Sequence, residues 1–123
     1  MTILIVDDSR AMRMILMRSL RQAGYGAARI VEAADGDQAM ALVKTHAPDL
    51  ILCDWNMPGR TGLEVLDALR KEGCRAVFGF VTTEGTPDMK AKAHGAGAAF
   101  LVAKPFTADV FKLAVDSALR RAA

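Results

Sequence analysis

Short apolar runs alternate with longer helical patterns along this chain of 123 residues, and the alternation constrains the fold more than any other sequence feature. The runs are rich in Ile, Val and Leu, as expected for strands that are buried on both faces of a parallel sheet. The predicted strands are Ile3–Val6, Arg29–Ala33, Leu50–Cys53, Val77–Val81 and Phe100–Ala103. The predicted helices are Arg10–Ala23, Gln38–Thr45, Leu63–Lys71, Pro87–His94 and Ala108–Arg121. The pattern predicts an α/β fold of three layers, with helices on both faces of one sheet.

Composition limits the remaining possibilities. A chain that is 52% hydrophobic and 24% charged has enough apolar mass for one core, so we expect a single domain over residues 1–123 without an output domain, acting as a monomer. A net charge of +2 with interspersed signs favours neither nucleic acid nor a membrane as partner. The N-terminus has no signal-peptide pattern, and Cys53 and Cys74 have no metal-ligand spacing, which together indicate a soluble cytoplasmic protein with free thiols.

Polar side chains follow four of the five predicted strands. Asp7 and Asp8 come after the first strand, Asp54 after the third, Thr82 after the fourth and Lys104 after the fifth. In an open parallel sheet the carboxyl ends of the strands share one edge, where ligands bind. We therefore expect these five side chains to converge, although almost the whole chain separates the first from the last.

The predicted cluster has the composition of a site for metal-dependent phosphoryl chemistry. Three neighbouring carboxylates repel one another unless a cation compensates them. Magnesium fits best, because it is usually held by one or two carboxylates together with water and phosphate oxygens. Lys104 and the Thr82 hydroxyl would supply a positive charge and a donor for phosphoryl oxygens. Asp54 is then the candidate nucleophile, which would form an acyl phosphate.

Four motifs in this order resemble those of one known family. They are "VDDS", "DWNMPGRTGLEVL", "VTTEG" and "KPF". With these spacings the whole chain resembles a response-regulator receiver domain, and most closely the single-domain chemotaxis (CheY-like) type. The resemblance implies a flavodoxin-like, doubly wound sheet of five parallel strands in the order 2-1-3-4-5, with five helices.

The resemblance also implies the roles of the site residues. Asp54 would be phosphorylated by a histidine kinase or a histidine phosphotransfer protein, and Thr82 and Lys104 would contact the phosphoryl group. Mg²⁺ would be held by Asp8, Asp54 and the backbone carbonyl of Asn56, with Asp7 acting through water. It further implies a cis peptide bond between Lys104 and Pro105.

As a function, the resemblance implies a two-component signalling switch rather than an enzyme that acts on a separate substrate. Phosphorylation would change the affinity of the face formed by helix 4, strand 5 and helix 5 for a downstream target, of which the flagellar motor switch is one candidate. An intermediate phosphoryl carrier in a phosphorelay is the alternative within the family. A magnesium-dependent phosphatase with an aspartyl nucleophile is less favoured, because the haloacid-dehalogenase type carries a DxD motif after its first strand. A flavodoxin-like cofactor binder is also disfavoured, because "DDSRAMR" would repel a phosphate there.

Each candidate residue also has an ordinary structural interpretation when it is taken alone. One of the two acids Asp7 and Asp8 is expected to cap the first helix, Thr82 could be a loop hydroxyl, and Lys104 could be a solvated lysine. The co-occurrence of all four motifs favours the functional interpretation.

The first helix carries a second pattern. On a helical wheel one side is predicted to face the core, and it holds Met12, Ile15, Leu16, Leu20 and Ala23. The opposite arc is predicted to form either a docking surface for a phosphotransfer partner or a solvated basic face, and it holds Arg10, Arg13, Arg18 and Arg21 with Met14 and Met17.

The fifth strand departs from the family pattern. Leu101 stands where the family commonly has Tyr or Phe, three residues before the lysine. Phe100 is adjacent, but side chains alternate along a strand, so it is predicted to face the other side of the sheet. We expect Leu101 to take the place of the missing aromatic residue and to couple the site to the surface weakly.

Overall fold

A computed structural model describes residues 1–122 and contains one sheet of five parallel strands in the order β2-β1-β3-β4-β5. The strands are β1 (Thr2–Val6), β2 (Arg29–Ala33), β3 (Leu50–Cys53), β4 (Val77–Thr82) and β5 (Phe100–Ala103). The helices are α1 (Arg10–Gln22), α2 (Gly36–His46), α3 (Gly62–Lys71), α4 (Pro87–Gly95) and α5 (Ala108–Ala122). The predicted fold class, strand order and number of helices are confirmed.

Two separate hydrophobic clusters, one on each face of the sheet, produce the three layers. Because side chains alternate along a strand, Leu4 and Val6 face one cluster and Ile3 and Ile5 face the other. Helices α2, α3 and α4 cover the first face, and α1 and α5 cover the second. No helix within residues 1–122 is long and apolar enough to cross a membrane.

The register of the central strands brings their carboxyl ends to the same edge. Val6 of β1 pairs with Cys53 of β3, and Cys53 pairs in turn with Phe80 of β4. Thr82 at the end of β4 pairs with Ala103 at the end of β5. The residues that follow these strand ends are therefore neighbours in space.

Side-chain caps fix where the helices begin. The Ser9 hydroxyl accepts a hydrogen bond from the Met12 backbone N–H, so the expectation that one of the two acids caps α1 is wrong. Helix α2 begins two residues earlier than predicted, because the Asp35 carboxylate caps it and accepts from the Gln38 N–H. The other helix bounds differ from the predicted ones by at most one residue.

The orientation of α1 differs from the helical-wheel prediction at three positions. Ile15, which was expected in the core, is 47% exposed, whereas Leu16 and Leu20 are buried as predicted. Met17, which was expected on the outer arc, packs against the core cluster beneath α1 and α5. Arg13 is also half-buried, since its side chain turns toward the carboxyl edge of the sheet. The outer arc therefore has fewer members than predicted.

Candidate functional site

Three carboxylates meet at the carboxyl edge of the sheet. Asp7 follows β1 and is 1% exposed, Asp8 is exposed, and Asp54 follows β3 with a half-buried environment. Carboxylate oxygens of these three residues lie within 4.8 Å of one another. Oxygen donors in this number suit a hard divalent cation such as Mg²⁺. The structure thus brings together the three acids that the sequence predicted to converge.

The Lys104 ammonium partly compensates this negative charge. Its Nζ lies 3.0 Å from Asp7 Oδ2 and 3.4 Å from Asp54 Oδ2. Only 9% of the Lys104 side chain is exposed, so the ion pairs are shielded from solvent. The Lys104–Pro105 peptide that follows is cis, as predicted. Lys104 can therefore supply a fixed positive charge beside the Asp54 carboxylate.

Hydrogen bonds hold every polar group of Asp7. Its backbone N–H donates to the Ala33 carbonyl at 3.1 Å, and its Oδ1 accepts from the Ser9 N–H at 2.9 Å. Its backbone carbonyl accepts from Arg13 Nη1 at 2.7 Å, and Lys104 occupies Oδ2. Asp7 is consequently the most constrained of the three acids. This agrees with its near-complete burial, because a buried charge needs hydrogen-bond partners.

The Asp54 carboxylate makes longer hydrogen bonds than the Asp7 carboxylate. Its N–H donates to the Val6 carbonyl at 2.9 Å, while its Oδ1 has only a long contact of 3.4 Å from the Asn56 N–H. Burial raises the pKa of Asp54 above its usual range, although the Lys104 charge opposes this effect, and the Asp7 charge adds to it. Asp54 is therefore bonded more weakly than Asp7, and its Oδ1 is available to accept a new bond.

The helix that follows β3 approaches the Asp54 backbone very closely. A Cβ atom at Gly62 would lie 2.2 Å from the Asp54 carbonyl oxygen and 2.9 Å from the Phe80 ring. The Gly62 N–H donates to the Trp55 carbonyl at 2.8 Å, which closes the loop between β3 and α3. Glycine at this position permits the tight approach that presents Asp54 at the edge.

Thr82 lies at the end of β4 and is fully buried. Its backbone carbonyl accepts from the Lys104 N–H at 2.7 Å, which places the two residues side by side. Its Oγ1 has no hydrogen-bond partner among residues 1–122. A buried hydroxyl without a partner costs free energy, and Oγ1 can donate to an acceptor on a bound ligand. The acids, the ammonium and this hydroxyl together fit a divalent cation and a phosphoryl group.

The aromatic and aliphatic neighbours of the site lie on the α2–α4 side of the sheet. The Trp55 and Phe80 rings pack with their centroids 4.8 Å apart. Leu101 packs against the same cluster, whereas Phe100 lies on the opposite side. The Phe100 ring covers Gly79, where a Cβ atom would lie 2.1 Å from the ring. The prediction that Phe100 cannot occupy the place of Leu101 is confirmed.

Sequence reasoning missed one residue of this region and one feature of the surface. It assigned Arg13 to the outer arc of α1, but the Arg13 guanidinium contacts the Asp7 carbonyl. The local signal was its position one turn after the Ser9 cap, at the end of α1 that faces the acids. A surface cavity of about 730 Å³ is lined by Met1 and Cys74 among others, and none of the predicted site residues is in its lining.

Comparison with known families identifies one match that covers most of the chain. Residues 3–116 match the response regulator receiver domain. The chain is 37% identical over 123 residues to the chemotaxis protein CheY of Pseudomonas aeruginosa, with 98% of each chain covered. It is 35% identical over 119 residues to the sporulation initiation phosphotransferase F of Bacillus subtilis, with 95% of this chain and 92% of the relative covered.

Solved structures resemble the chain over almost its full length. Vibrio cholerae chemotaxis protein CheY4 has a TM-score of 0.79 and 32% identity, with 98% of this chain and 96% of that chain covered. The signal receiver domain of a Luxo repressor protein from Vibrio parahaemolyticus has a TM-score of 0.89 and 26% identity, with 98% and 91% covered. The similarity is therefore one of sequence and of fold.

Proposed function

The chain belongs to the response regulator receiver domain family, and from this premise we propose that it is a two-component signalling switch whose residue Asp54 accepts a phosphoryl group. Receiver domains are signalling switches that histidine kinases phosphorylate and that act on downstream targets. The observation that carries the proposal is the cluster of Asp7, Asp8 and Asp54 beside the Lys104 ammonium and the unpartnered Thr82 hydroxyl. Residues 1–123 would act as one receiver domain.

Each residue has a proposed part in the transfer. A carboxylate oxygen of Asp54 attacks the phosphorus and a P–O bond forms, while the P–N bond to the donor histidine breaks and its electron pair stays on the ring nitrogen. The other ring nitrogen of the donor carries a proton, so the ring leaves as neutral imidazole. Lys104 Nζ and Thr82 Oγ1 would donate to phosphoryl oxygens, where their charge and hydrogen bond stabilise the developing negative charge. The long Asn56 contact leaves Asp54 Oδ1 accessible for bond formation. The only turnover catalysed would be the phosphorylation and dephosphorylation of the protein itself.

Receiver domains generally depend on Mg²⁺, and the acidic cluster fits that ion. When bound, Mg²⁺ would offset the repulsion between the carboxylates and the incoming phosphoryl group. We propose that Asp8, Asp54 and the backbone carbonyl of Asn56 hold it directly and that Asp7 acts through water. The ammonium of Lys104, 3.0 Å from Asp7 Oδ2, would hold the Asp7 side chain in place beside the metal.

The test is phosphorylation by acetyl phosphate, followed by intact mass. We expect a gain of one phosphoryl group that requires Mg²⁺ and that Asp54→Asn abolishes. Asp49→Asn, at an exposed aspartate at the opposite edge of the sheet, is the matched control and should be labelled like the parent. Equal labelling of parent and Asp54→Asn would overturn the assignment.

Chemotaxis is the favoured process, because the relative with 37% identity over the full length is named a chemotaxis protein. In this role the chain would be a cytoplasmic monomer that receives the phosphoryl group from a histidine kinase, and its α4–β5–α5 face would bind a target such as a flagellar motor switch. Neither nucleic acid nor membrane would be a partner.

A phosphorelay carrier is the second candidate, supported by the 35% identity to a protein named a sporulation initiation phosphotransferase. The two candidates differ in the fate of the phosphoryl group. Incubation of phosphorylated protein with purified histidine phosphotransfer proteins from the same organism distinguishes them, because only a carrier passes the group on faster than it hydrolyses.

A further inference from the structure

The hydrogen bond from Arg13 to the Asp7 carbonyl is not part of the sheet, and it has no role in the proposed phosphoryl transfer. Arg13 Nη1 reaches this oxygen at 2.7 Å from the second turn of α1. A guanidinium bond to a carbonyl is charge-assisted and therefore stronger than an ordinary backbone hydrogen bond. The bond holds the peptide unit that joins the two aspartates, since this unit contains the Asp7 carbonyl and the Asp8 nitrogen.

Glu32 holds the guanidinium in place from the other side. Its Oε1 accepts from Arg13 Nε at 3.0 Å, and it projects from β2, whose carboxyl end lies beside β1. The Arg13 side chain is 14% exposed, but that of Glu32 is 41% exposed. An ion pair with one exposed partner contributes little to folding stability. The pair is better suited to orienting the guanidinium than to stabilising the fold.

The peptide geometry connects this bond to the metal ligands. A peptide unit is planar, so fixing the Asp7 oxygen also fixes the direction of the Asp8 N–H and the start of the Asp8 residue. The Asp8 side chain is exposed, and its carboxylate must remain within reach of those of Asp7 and Asp54. Freedom of this peptide would allow the Asp8 carboxylate to move away from the other two acids.

We propose that Arg13, held by Glu32, is a positioning residue that presents the Asp8 carboxylate for divalent-cation binding. The inference rests on the proposed function, because it assigns the cation to the same acidic cluster. This positioning role and a simple charge effect predict opposite changes in cation affinity when Arg13 is removed. Removing a positive charge near three carboxylates would by itself strengthen cation binding, whereas loss of positioning weakens it.

The measurement is a Mg²⁺ titration followed by the emission of Trp55, which is the only tryptophan and is adjacent to Asp54. We expect Arg13→Ala to weaken Mg²⁺ binding about tenfold, the low end for residues that orient metal ligands. Arg29→Ala removes an exposed arginine at the other end of β2 and should leave the affinity unchanged. Unchanged or tighter binding by Arg13→Ala would overturn the proposal.

Two further variants separate positioning from a general loss of structure. Glu32→Ala, at the more exposed partner, should weaken Mg²⁺ binding about threefold, and the double variant should bind no more weakly than Arg13→Ala, because both act through one contact. Additive losses would overturn the part assigned to Glu32. If Arg13→Ala fails to fold by circular dichroism, Arg13→Gln takes its place, and unchanged or tighter Mg²⁺ binding by that variant overturns the proposal.

Acetyl phosphate labelling provides a second measurement, the Mg²⁺ concentration for half-maximal labelling, which would not change if Arg13 had only a structural role. In Arg13→Ala the Mg²⁺ concentration for half-maximal labelling should rise about tenfold, while the rate at saturating Mg²⁺ stays near that of the parent. A lower saturating rate with an unchanged midpoint would overturn the inference. Failure of the proposed function is a different result, since the parent itself would then show no label at Asp54.

Discussion

Tyr25 connects the segment after α1 to helix α5 through one side-chain hydrogen bond. Its hydroxyl donates to Asp116 Oδ1, and Lys112 Nζ donates to the other carboxylate oxygen at 2.6 Å. Burial, and then the hydrogen bond to Asp116, raise the pKa of Tyr25 to about 12. Lys112 and Tyr25 lower the pKa of Asp116. The neutral phenol and the ionised carboxylate therefore stabilise one another in the folded state.

We predict that Tyr25 makes the stability of the protein sensitive to alkaline pH. In the unfolded chain Tyr25 ionises near pH 10, whereas in the folded chain it ionises near pH 12. Its contribution to stability is therefore complete below about pH 10 and is lost as the pH rises toward 12. Tyr25→Phe should lower the free energy of unfolding by about 1 kcal/mol at pH 7, measured by urea denaturation. The difference from the parent should shrink between pH 10 and 12.

Absorbance of the tyrosinate provides the direct check, because Tyr25 is the only tyrosine. Asp116→Asn should lower the folded midpoint but leave it above 10, since burial is the larger cause. A midpoint near 10 in the folded parent would contradict the prediction. Lys112→Ala is the control, because it removes a charge next to the Asp116 carboxylate and leaves the Tyr25 partner in place.

At the scale of elements, the sequence predicted the strands well and the helix orientations less well. A strand buried on both faces is a continuous apolar run between turns, so a run such as Leu50–Cys53 has clear ends. The convergence of the strand-end residues follows from the topology alone. The direction of the Arg13 side chain does not follow from the topology, because its partner Glu32 lies on β2, 19 residues away in sequence. The exposure of Ile15 likewise depends on how α5 packs beside α1.

The outer side of α1 still offers a surface next to the site. A groove of about 360 Å³ runs between α1 and the connection from β5 to α5. Its lining includes Ile15 and Arg18 on the helix, and Lys104 and Phe106 on the connection. Because Lys104 also contacts Asp54, a partner bound here would lie beside the proposed phosphorylation site. The mixture of exposed apolar side chains and arginine is typical of interfaces.

We predict that Arg18→Glu slows phosphotransfer from the cognate kinase about tenfold at low salt, because charge at an interface steers association. The difference from the parent should shrink as salt is added. Arg13 is left unchanged in this experiment, since it contacts Asp7. Rapid-quench transfer from labelled kinase measures the rate. Labelling by acetyl phosphate should not change.

Lys71→Glu is the matched control, because it reverses an exposed charge in the last turn of α3, on the opposite face of the sheet. Equal transfer rates for Arg18→Glu and Lys71→Glu would mean that the outer side of α1 is only a solvated basic face.

At the scale of the whole molecule, the site and the α4–β5–α5 face are joined through β5. Thr82 pairs with Ala103, and Phe80 pairs with Leu101, so Leu101 and Ala103 lie on the same side of the strand. Leu101 is half-buried, and a Cβ atom at Gly85, in the loop before α4, would lie 3.7 Å from its Cδ2. Leu101 therefore lies between the strand ends and the loop before α4, and we expect movement of the Thr82 hydroxyl toward a phosphoryl group to change its packing.

We predict that Leu101 carries this coupling and that the coupling is weak. Leucine buries less area than an aromatic side chain and has no hydroxyl, so the coupling free energy should lie near 1 kcal/mol, at the low end of the usual range. Beryllofluoride, which mimics the phosphoryl group, should change amide hydrogen exchange in α4 and β5 of the parent about fivefold, and much less in Leu101→Ala. Leu42→Ala, at a partly buried leucine of α2 in the same cluster, controls for the loss of packing and should keep the parental response. If Leu101→Ala also keeps the parental response, Leu101 only fills the core, and the coupling runs through other residues.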